Sequence, residues 1–199
     1  MLFRQWYMEV VDSGIPDPTI MTLATVDKTG RPSARIVLLK EFDERGFVFY
    51  SNYHSSKAEH LGETPWAALV IHWQPTGHQV RIEGKVEMTS GEESDRYFAT
   101  RPRSSQLGAW ASEQSRIVPS RESLDEAFRK TEEKYRDKDV PRPPHWGGFR
   151  LDPDRMEFWV SREDRMHDRI VYEKNLGLDK SRGDSKKDLK EWIIRRLAP

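Results

Sequence analysis

The sequence predicts an α+β fold in which an antiparallel sheet curls into a barrel and helices pack on its outside. About eight short segments show the alternation or the compact apolar runs of β-strands, with turn residues between them. Segments with helical spacing or capping motifs are inserted between these strands. A chain of 199 residues is long enough for one domain with a sizeable core and too short for two, so we expect residues 1–199 to form a single domain.

Charge and cysteine content exclude several function classes. Lys plus Arg and Asp plus Glu both number 33, so no overall field attracts nucleic acid or an acidic membrane, and any anion must be bound by local contacts. The absence of cysteine excludes disulfides, thiolate catalysis, iron–sulfur clusters and thiolate zinc sites. There is neither a signal peptide nor an apolar run of about 18 residues, so we expect a cytoplasmic protein without membrane contact.

No motif predicts a metal centre or a nucleotide-binding loop. His54, His60, His72, His78 and His145 lack paired metal-ligand spacing, and we interpret them as structural or surface groups. The chain also lacks GxGxxG and GxxxxGK[ST], so neither a Rossmann nor a P-loop phosphate cradle is expected.

The first segments of the chain predict a helix followed by a β-hairpin. Apolar residues from Phe3 to Val11 recur at helical spacing, and a segment rich in Gly and Pro ends the helix. MTLATV and SARIVLLKEF flank the turn DKTGRP, which is typical of a hairpin. In the second strand, four apolar residues lie between Arg35 and Lys40. This pattern predicts a strand that is buried on both faces and presents positive charge at its ends to an anion.

A helix N-terminus follows the next predicted strand, FVFYSN. Ser56 and Glu59 have the spacing of a capping box, and Lys57 lies in the first turn behind it. The free N–H groups and the positive dipole end of such a helix attract anions, and Lys57 adds a full charge. We therefore predict a phosphate site at this position.

Two further strands, WAALVIHW and QVRIEGKVEMT, are joined by the turn QPTGH. In the second of them, apolar positions from Val80 to Met88 alternate with polar positions from Gln79 to Glu87. This alternation predicts a strand with one wet side, and it places Gln79 on that side.

Two helices and a set of short strands complete the prediction. Ser90 and Glu93 form a second capping box, which opens a helix that Pro102 ends. A third, amphipathic helix begins near Ser120 or Ser123. Short strands are then expected near residues 146–150, 156–159 and 169–172, a mobile loop over the charged residues 174–188, and a closing strand in EWIIRRLAP.

Several segments, in order along the chain, closely resemble the pyridoxine (pyridoxamine) 5′-phosphate oxidase family. They are RIVLLK, FVFYSNYHSSKA, HQVRIEG, YFATRPRSSQLGAWASEQS, PRPPHWGGFR, EFW and RMHDR. The resemblance as a whole covers roughly residues 3–172 and resumes at the terminal RRLAP. The resemblance implies a split β-barrel of the FMN-binding type and a homodimer with FMN at its interface. It also implies oxidation of pyridoxamine and pyridoxine 5′-phosphate to pyridoxal 5′-phosphate, with O2 as electron acceptor and H2O2 as the second product.

The resemblance also implies a set of site residues. The cofactor set is Arg35, Ile36, Val37, Leu38, Leu39, Lys40, Tyr50, Ser51, Ser56, Lys57, Gln79, Gln114, Ser115, Trp159 and Arg169. The substrate set is Lys40, Tyr97, Arg101, Ser105, Arg165 and His167. Of these, Arg165 and His167 are the implied catalytic residues over the substrate ring. Asp168 lies between His167 and Arg169, so we expect it to pair with a neighbouring cation and hold it in place.

The residues themselves support parts of these sets and leave plainer alternatives open. Tyr97 and Arg101 are four residues apart on a predicted helix, so both can reach one anion, with Ser105 on a turn behind Pro102. Taken singly, the same pair also fits a solvated helix face. Arg35 and Lys40 equally fit strand-edge charges that extend into solvent.

Two departures from the family pattern bear on binding. Family members usually carry Arg immediately before the Lys at position 57, and this chain has Ser56, so we expect weaker FMN retention unless another cation compensates. Family members also commonly have an N-terminal stretch whose Arg and Tyr close over the substrate, and this sequence starts after it, which leaves the expected substrate affinity open and does not change the expected fold.

Two other functions remain open from the sequence. One is a related FMN oxidase that acts on another substrate, as in phenazine synthesis. The other is a binding protein that holds FMN or pyridoxal 5′-phosphate without turnover, which stoichiometric ligand retention without peroxide would reveal.

Overall fold

The computed structural model describes residues 2–175 and 192–199, so most of the predicted loop 174–188 lies outside the described residues. Its helices are α1 Leu2–Asp12, α2 Ser56–Glu63, α3 Gly91–Thr100, α4 Arg103–Ala111 and α5 Arg121–Lys134, with single 3₁₀ turns at Gln74–Thr76 and Glu163–Arg165. Its strands are β1 Ile20–Val26, β2 Pro32–Leu38, β3 Glu41–Asp43, β4 Gly46–Asn52, β5 Trp66–Trp73, β6 His78–Met88, β7 Trp146–Val160, β8 Asp168–Lys174 and β9 Trp192–Arg196.

The described strands form one antiparallel sheet in the order β2-β1-β5-β6-β7-β4-β3, with β8 and β9 continuing from the far half of β7. Strand β2 at one end of this order continues along the chain into β3 at the other end. Between them, the Lys40 N–H donates to the Val48 carbonyl at 2.9 Å. The two ends of the order are therefore held together, which curls the sheet and confirms the predicted split-barrel architecture.

The core fills the inside of this curled sheet. Helix α1 contributes Phe3, Trp6 and Val10, whose spacing places them on one helix face. The Phe3 ring packs edge-on against Phe47 and Phe42, with centroids 4.8 and 4.9 Å apart. Helices α3, α4 and α5 surround a second apolar cluster that includes Phe98, Leu107 and Trp146. The predicted N-terminal helix is confirmed.

Strand β6 alternates as its sequence predicts. Val80, Ile82 and Val86 are buried, whereas Met88 at the strand end is 59% exposed. At Gly84 the register with β7 shifts, and a Cβ there would lie 2.1 Å from the Asp152 carbonyl oxygen. Only glycine permits this close approach, so the bulge depends on that residue.

Residues 146–150 and 156–159, which we predicted as two strands, are parts of the single strand β7. Pro153 interrupts the pattern and lacks an N–H, which in sequence suggests a break. In the structure Pro153 lies opposite Gly84 at the register shift, so the ladder continues past it. The predicted strands near 169–172 and at the chain end are confirmed as β8 and β9.

The strand with the sequence RIVLLK is not buried on both faces, contrary to prediction. Within the described residues β2 pairs only with β1, and its exposure alternates along the strand. Ile36 is 61% exposed and Leu38 40% exposed, whereas Leu39 just beyond the strand is buried in the core. An edge position was not visible in the sequence because it depends on which strands come to lie beside it.

The helix boundaries correct two further predictions. Ser55, not Ser56, is the N-cap of α2, and its hydroxyl donates to the Asn52 carbonyl at 2.8 Å instead of capping the helix. Ser105 lies inside α4 and not on a turn, because Pro102 ends α3 and also serves as the N-cap of α4.

Two capping predictions are confirmed. The capping box of α3 at Ser90 and Glu93 is present with both of its reciprocal hydrogen bonds. Helix α5 has Ser120 as its N-cap, and Ser123 completes a second reciprocal pair.

Candidate active site

A cavity of about 680 Å³ lies where β2, β4, α3 and α4 meet. It brings together many of the predicted residues: Ile36, Val37, Leu38, Lys40, Tyr50, Ser51, Lys57 and Gln114 from the cofactor set, and Tyr97, Arg101 and Ser105 from the substrate set. Residues far apart in sequence thus share one space of the size that small-molecule sites have.

The basic residues of this cavity lack carboxylate partners. Lys40, Lys57 and Arg101 line it, and none of them forms a salt bridge with an Asp or Glu in the described parts of the chain. Three positive charges around one cavity favour an anionic ligand, because an anion supplies the neutralisation that the protein does not.

Neutral oxygens orient Lys57 in the first turn of α2. Its Nζ donates to Gln114 Oε1 at 2.9 Å and to the hydroxyls of Ser51 and Ser55, both at 3.2 Å. Burial, together with the nearby charge of Arg35, lowers the pKa of Lys57 to about 8. A phosphate beside this ammonium group would stabilise its charge, which agrees with the phosphate site that we predicted at this helix N-terminus.

Arg35 lies beside this site on β2, and it is also held by neutral acceptors. Its guanidinium donates to Thr25 Oγ1 and Ser33 Oγ at 2.7 Å each, and to the Leu23 carbonyl at 3.2 Å. Burial lowers the pKa of Arg35. Thr25 itself is fully buried and lies 3.1 Å from His60 Nδ1. The Arg35 charge is therefore fixed in place, and it has no carboxylate partner within the residues that the structure describes.

Arg101 carries a buried donor that makes no hydrogen bond within the described residues. Its Nη1 is the unpartnered atom, and the guanidinium lies over the Trp146 ring at 4.6 Å from the centroid. Burial lowers the pKa of this group. Buried donors are almost always paired in folded proteins, so an unpaired one on a cavity wall indicates a ligand that pairs it.

Aromatic rings form a flat wall next to Arg101. Tyr50 stacks on Tyr97 with centroids 4.0 Å apart and on Trp146 at 5.4 Å, with interplanar angles of 14° and 10°. The Tyr50 hydroxyl donates to Glu41 Oε1 at 3.2 Å, and burial followed by the Glu41 charge raises the pKa of Tyr50. The stack positions Tyr97 beside the cations.

A second group of predicted residues lies in one row across strands β6, β7 and β8. Gln79 on β6 is in register with Trp159 on β7, which is in register with Arg169 on β8. None of the three lines the cavity. Arg169 donates through Nε to Glu157 Oε1 at 2.8 Å and through Nη1 to the Ala198 carbonyl at 3.0 Å.

The loop before β8 carries the predicted catalytic pair. Arg165 has a left-handed backbone with φ of 60°, and the His167 ring packs against Trp159 at 4.6 Å. His167 Nδ1 accepts from the Arg162 N–H at 3.2 Å, so the neutral ring carries its proton on Nε2. The expected partner of Asp168 is found in Arg162, at 2.9 Å, and in Arg196.

Some predicted residues lie apart from the cavity. The Leu39 side chain is in the hydrophobic core, Ser56 is an exposed residue at the start of α2, and Ser115 is exposed with φ of 71°. Sequence reasoning missed Thr25, Asn52 and Trp146. The motif PRPPHWGG contains Trp146 and was a signal for it, whereas nothing near Thr25 in sequence reveals its bond to Arg35.

The described residues contain neither a metal-binding cluster nor a membrane-spanning helix. Across residues 2–175 and 192–199, no cluster of His, Asp and Glu side chains is arranged to hold a metal ion. None of the helices in those ranges has the length and apolar character needed to span a bilayer.

Comparison with known proteins identifies the family. Residues 8–135 match the family model described as "Pyridoxamine 5'-phosphate oxidase", and residues 146–199 match "Pyridoxine 5'-phosphate oxidase C-terminal dimerisation region". The chain belongs to this oxidase family. Its members named "Pyridoxine/pyridoxamine 5'-phosphate oxidase" include a protein of Gloeothece citriformis, 52% identical over 99% of this chain and 86% of the relative, and one of Burkholderia multivorans, 51% identical over 99% and 87%.

Solved structures agree with this assignment. PhzG from Burkholderia lata 383, in complex with tetrahydrophenazine-1-carboxylic acid, is 30% identical and superposes with a TM-score of 0.87 over 100% of this chain and 91% of that one. An FMN-binding protein related to pyridoxamine 5′-phosphate oxidase, from Nostoc punctiforme, shares the fold with a TM-score of 0.73 at 17% identity, over 99% and 97% of the two chains. The predicted family is confirmed, and membership supports a flavin-dependent oxidoreductase.

Proposed function

We propose that this protein is an FMN-dependent oxidase that converts pyridoxamine and pyridoxine 5′-phosphate to pyridoxal 5′-phosphate, with O2 as electron acceptor and H2O2 as product. The unpartnered Nη1 of Arg101, in a cavity whose cations lack carboxylates, is the observation that supports it best. A substrate with a phosphate supplies the missing acceptor.

The donor set fits two phosphates and two flat rings. Lys57, Gln114 and Ser51 are grouped at the start of α2, and Arg35 adds its charge there, so we assign this end to the FMN phosphate. Lys40, Tyr97, Arg101 and Ser105 line the same cavity and are assigned to the substrate phosphate. FMN supplies hydride acceptance when it is bound, and the protein supplies position and electrostatics.

We further propose a homodimer with FMN at its interface. Gln79, Trp159, Arg169, Arg165 and His167 do not line the cavity of their own chain, so we assign them to the cofactor and substrate held by the partner's cavity. The match of residues 146–199 to a dimerisation region supports this assignment, because that range contains four of the five.

In this arrangement Arg165 holds the substrate ring against FMN. His167 carries a proton on Nε2, which bonds to the ring hydroxyl or assists proton movement. The cytoplasmic location that we expect from the sequence remains a prediction.

The test is to mix purified protein, FMN and pyridoxamine 5′-phosphate in air and to follow pyridoxal 5′-phosphate and H2O2. The proposal expects product from the parent protein and a fall in turnover of about 100-fold in Arg165→Ala and His167→Ala, with FMN binding retained. FMN retention without any product would favour the binding-protein alternative. Unchanged turnover in both variants would refute the roles of Arg165 and His167.

A second candidate is an oxidase of a phenazine precursor, and the similarity to PhzG is the observation that favours it. We rank it lower because Arg101, Tyr97 and Ser105 surround an anion site that a phosphate fills. Turnover of a dihydro- or tetrahydrophenazine carboxylic acid without turnover of pyridoxamine 5′-phosphate would reverse the ranking.

A further inference from the structure

Glu157 is a buried carboxylate on the outer face of the sheet. Its neighbours in sequence, Met156 and Phe158, point into the core, whereas Glu157 points to the opposite face and is still only 2% exposed. Arginines shield it there, because its two oxygens accept from Arg169 Nε at 2.8 Å and Arg155 Nη2 at 3.3 Å. A third arginine, Arg81, approaches through Nη1 at 3.5 Å.

These three arginines do not depend equally on Glu157. Arg81 and Arg155 also contact Glu83, at 3.0 and 3.2 Å. Arg169 forms a salt bridge with no carboxylate other than Glu157 in the part of the chain that the structure describes. Removal of the Glu157 charge therefore leaves two of the cations paired and one unpaired.

The two contacts of Arg169 fix the plane of its guanidinium. Glu157 accepts a hydrogen bond from Nε and the Ala198 carbonyl accepts one from Nη1, on different sides of the guanidinium group. The backbone adds to this, since the Leu197 N–H donates to the Arg169 carbonyl at 2.9 Å. Neither side-chain contact uses Nη2, so among residues 2–175 and 192–199 this donor is available on the row that Arg169 shares with Trp159 and Gln79.

We propose that Glu157 is a positioning residue for the cofactor: it sets the orientation in which Arg169 presents its free donor to FMN. The proposal rests on the proposed function, in which Arg169 binds FMN. A bidentate or planar contact of arginine is sensitive to small rotations, so loss of its anchor weakens a ligand that the anchor never touches.

A purely stabilising role for Glu157 predicts something different. The carboxylate would then hold β6, β7 and β8 together, and any break in the cluster would act through stability alone. Arg81→Gln is the matched control, because it removes an ion pair from the same carboxylate and leaves the Arg169 contacts in place.

The experiment measures FMN dissociation constants by quenching of flavin fluorescence in the parent, Glu157→Gln, Arg81→Gln, Arg169→Gln and Glu157→Gln/Arg169→Gln proteins. We expect Glu157→Gln to weaken FMN binding about tenfold and Arg81→Gln to change it less than about twofold. We expect the double variant to bind about as weakly as Arg169→Gln alone, because Glu157 acts through Arg169. Turnover of Glu157→Gln at saturating FMN should stay within about twofold of the parent.

The outcomes separate this inference from the function on which it rests. A parent protein that does not bind FMN overturns both. A parent that binds FMN, with Glu157→Gln binding equally well or with additive losses in the double variant, overturns the positioning role alone. Where Glu157→Gln does not fold by circular dichroism, Glu157→Asp decides: its shorter side chain should weaken FMN binding about threefold, and parent-like binding overturns the inference.

Discussion

The basic residues of the cavity and those of the outer sheet face have opposite electrostatic surroundings. Lys57 and Arg101 face an open cavity, and in the described part of the chain their contacts are with neutral groups. Arg81, Arg155 and Arg169 share the carboxylates of Glu157 and Glu83. The shifts in pKa follow this division: burial lowers the pKa of Lys57 and Arg101, whereas the hydrogen bond to Glu157 raises that of Arg169.

This contrast separates two ways in which a protein uses a cation. Charges that are buried without a partner cost stability, and they persist where a ligand provides the counter-charge. Charges in a satisfied network hold their geometry whether or not a ligand is present. We therefore expect substitutions in the cavity to affect ligand affinity most, and substitutions in the outer cluster to act through orientation.

The largest effect is expected for Arg101→Ala. The variant removes a charged donor from the substrate phosphate, so KM for pyridoxamine 5′-phosphate should rise about 100-fold while FMN affinity stays within about threefold of the parent. Steady-state kinetics at saturating FMN measure the first and fluorescence titration the second. Arg96→Ala, which truncates an exposed arginine of α3, the helix whose C-cap is Arg101, is the control and should leave KM unchanged. An unaltered KM in Arg101→Ala would contradict the assignment of this wall to the substrate phosphate.

Lys57→Met should weaken FMN binding about 30-fold, because it removes a cation at the α2 N-terminus and keeps an apolar side chain of similar length. The measurement is again quenching of flavin fluorescence. Lys28→Met, which removes an exposed lysine that pairs with Glu63 at the other end of α2, is the control and should have no effect. Parent-like FMN binding in Lys57→Met would place the FMN phosphate elsewhere.

The same variant should be more stable than the parent in the absence of FMN. The folded-state pKa of Lys57 is about 8, below its ordinary value of 10.5, so the parent's free energy of unfolding rises with pH across that window. Below this pH window Lys57 is protonated in both the folded and the unfolded state, so the free-energy cost of burying its charge is fully present. Lys57→Met removes that cost, and urea denaturation at neutral pH should show a gain of about 1 kcal/mol after solvent screening is discounted. A loss of stability would show that burial of the Lys57 charge does not destabilise the parent protein.

The sequence was sufficient for most strands of the sheet and for many, but not all, residues of the cavity. The alternation in β6 and the turn residues between strands depend on neighbours in sequence, so they can be predicted without knowledge of the tertiary structure. The cavity residues lie in motifs with a recognisable order, so Tyr97, Arg101 and Lys57 were predicted together. The capping box at Ser90 was predictable for the same reason, since both of its partners lie within one turn.

The errors concern neighbours that only the tertiary structure defines. The exposed side of β2 follows from its edge position, and the continuity of β7 past Pro153 follows from a glycine on another strand. The side chains that hold the two predicted FMN-binding arginines could not be predicted from sequence either. Thr25 on β1 accepts a hydrogen bond from Arg35 on β2, and Glu157 on β7 accepts one from Arg169 on β8. Register sets such contacts, and sequence patterns do not specify register between distant strands.

Thr25→Val tests the support of Arg35 with a side chain of nearly the same shape. It removes the buried hydroxyl that accepts from Nη1 at 2.7 Å, so Arg35 keeps its charge and loses an anchor. FMN binding should weaken about fivefold, and the free energy of unfolding should fall by about 1 kcal/mol. Thr22→Val, on the opposite face of the same strand, controls for the change in β1. Equal FMN affinity in Thr25→Val and the parent would mean that Ser33 and the Leu23 carbonyl hold Arg35 without help.

The smallest effect is expected at the exposed Ser56 that begins α2, a position where the family resemblance implies an Arg. Ser56→Arg adds a cation next to Lys57 and Arg35, so FMN affinity should rise about threefold. Without FMN, the added charge meets two unneutralised cations, so the apo protein should become slightly less stable. Ser56→Gln, which matches length without charge, separates electrostatics from contact area. A gain equal to that of Ser56→Gln would show that the existing cations already saturate the phosphate, and that this end of the cavity is limited by geometry and not by charge.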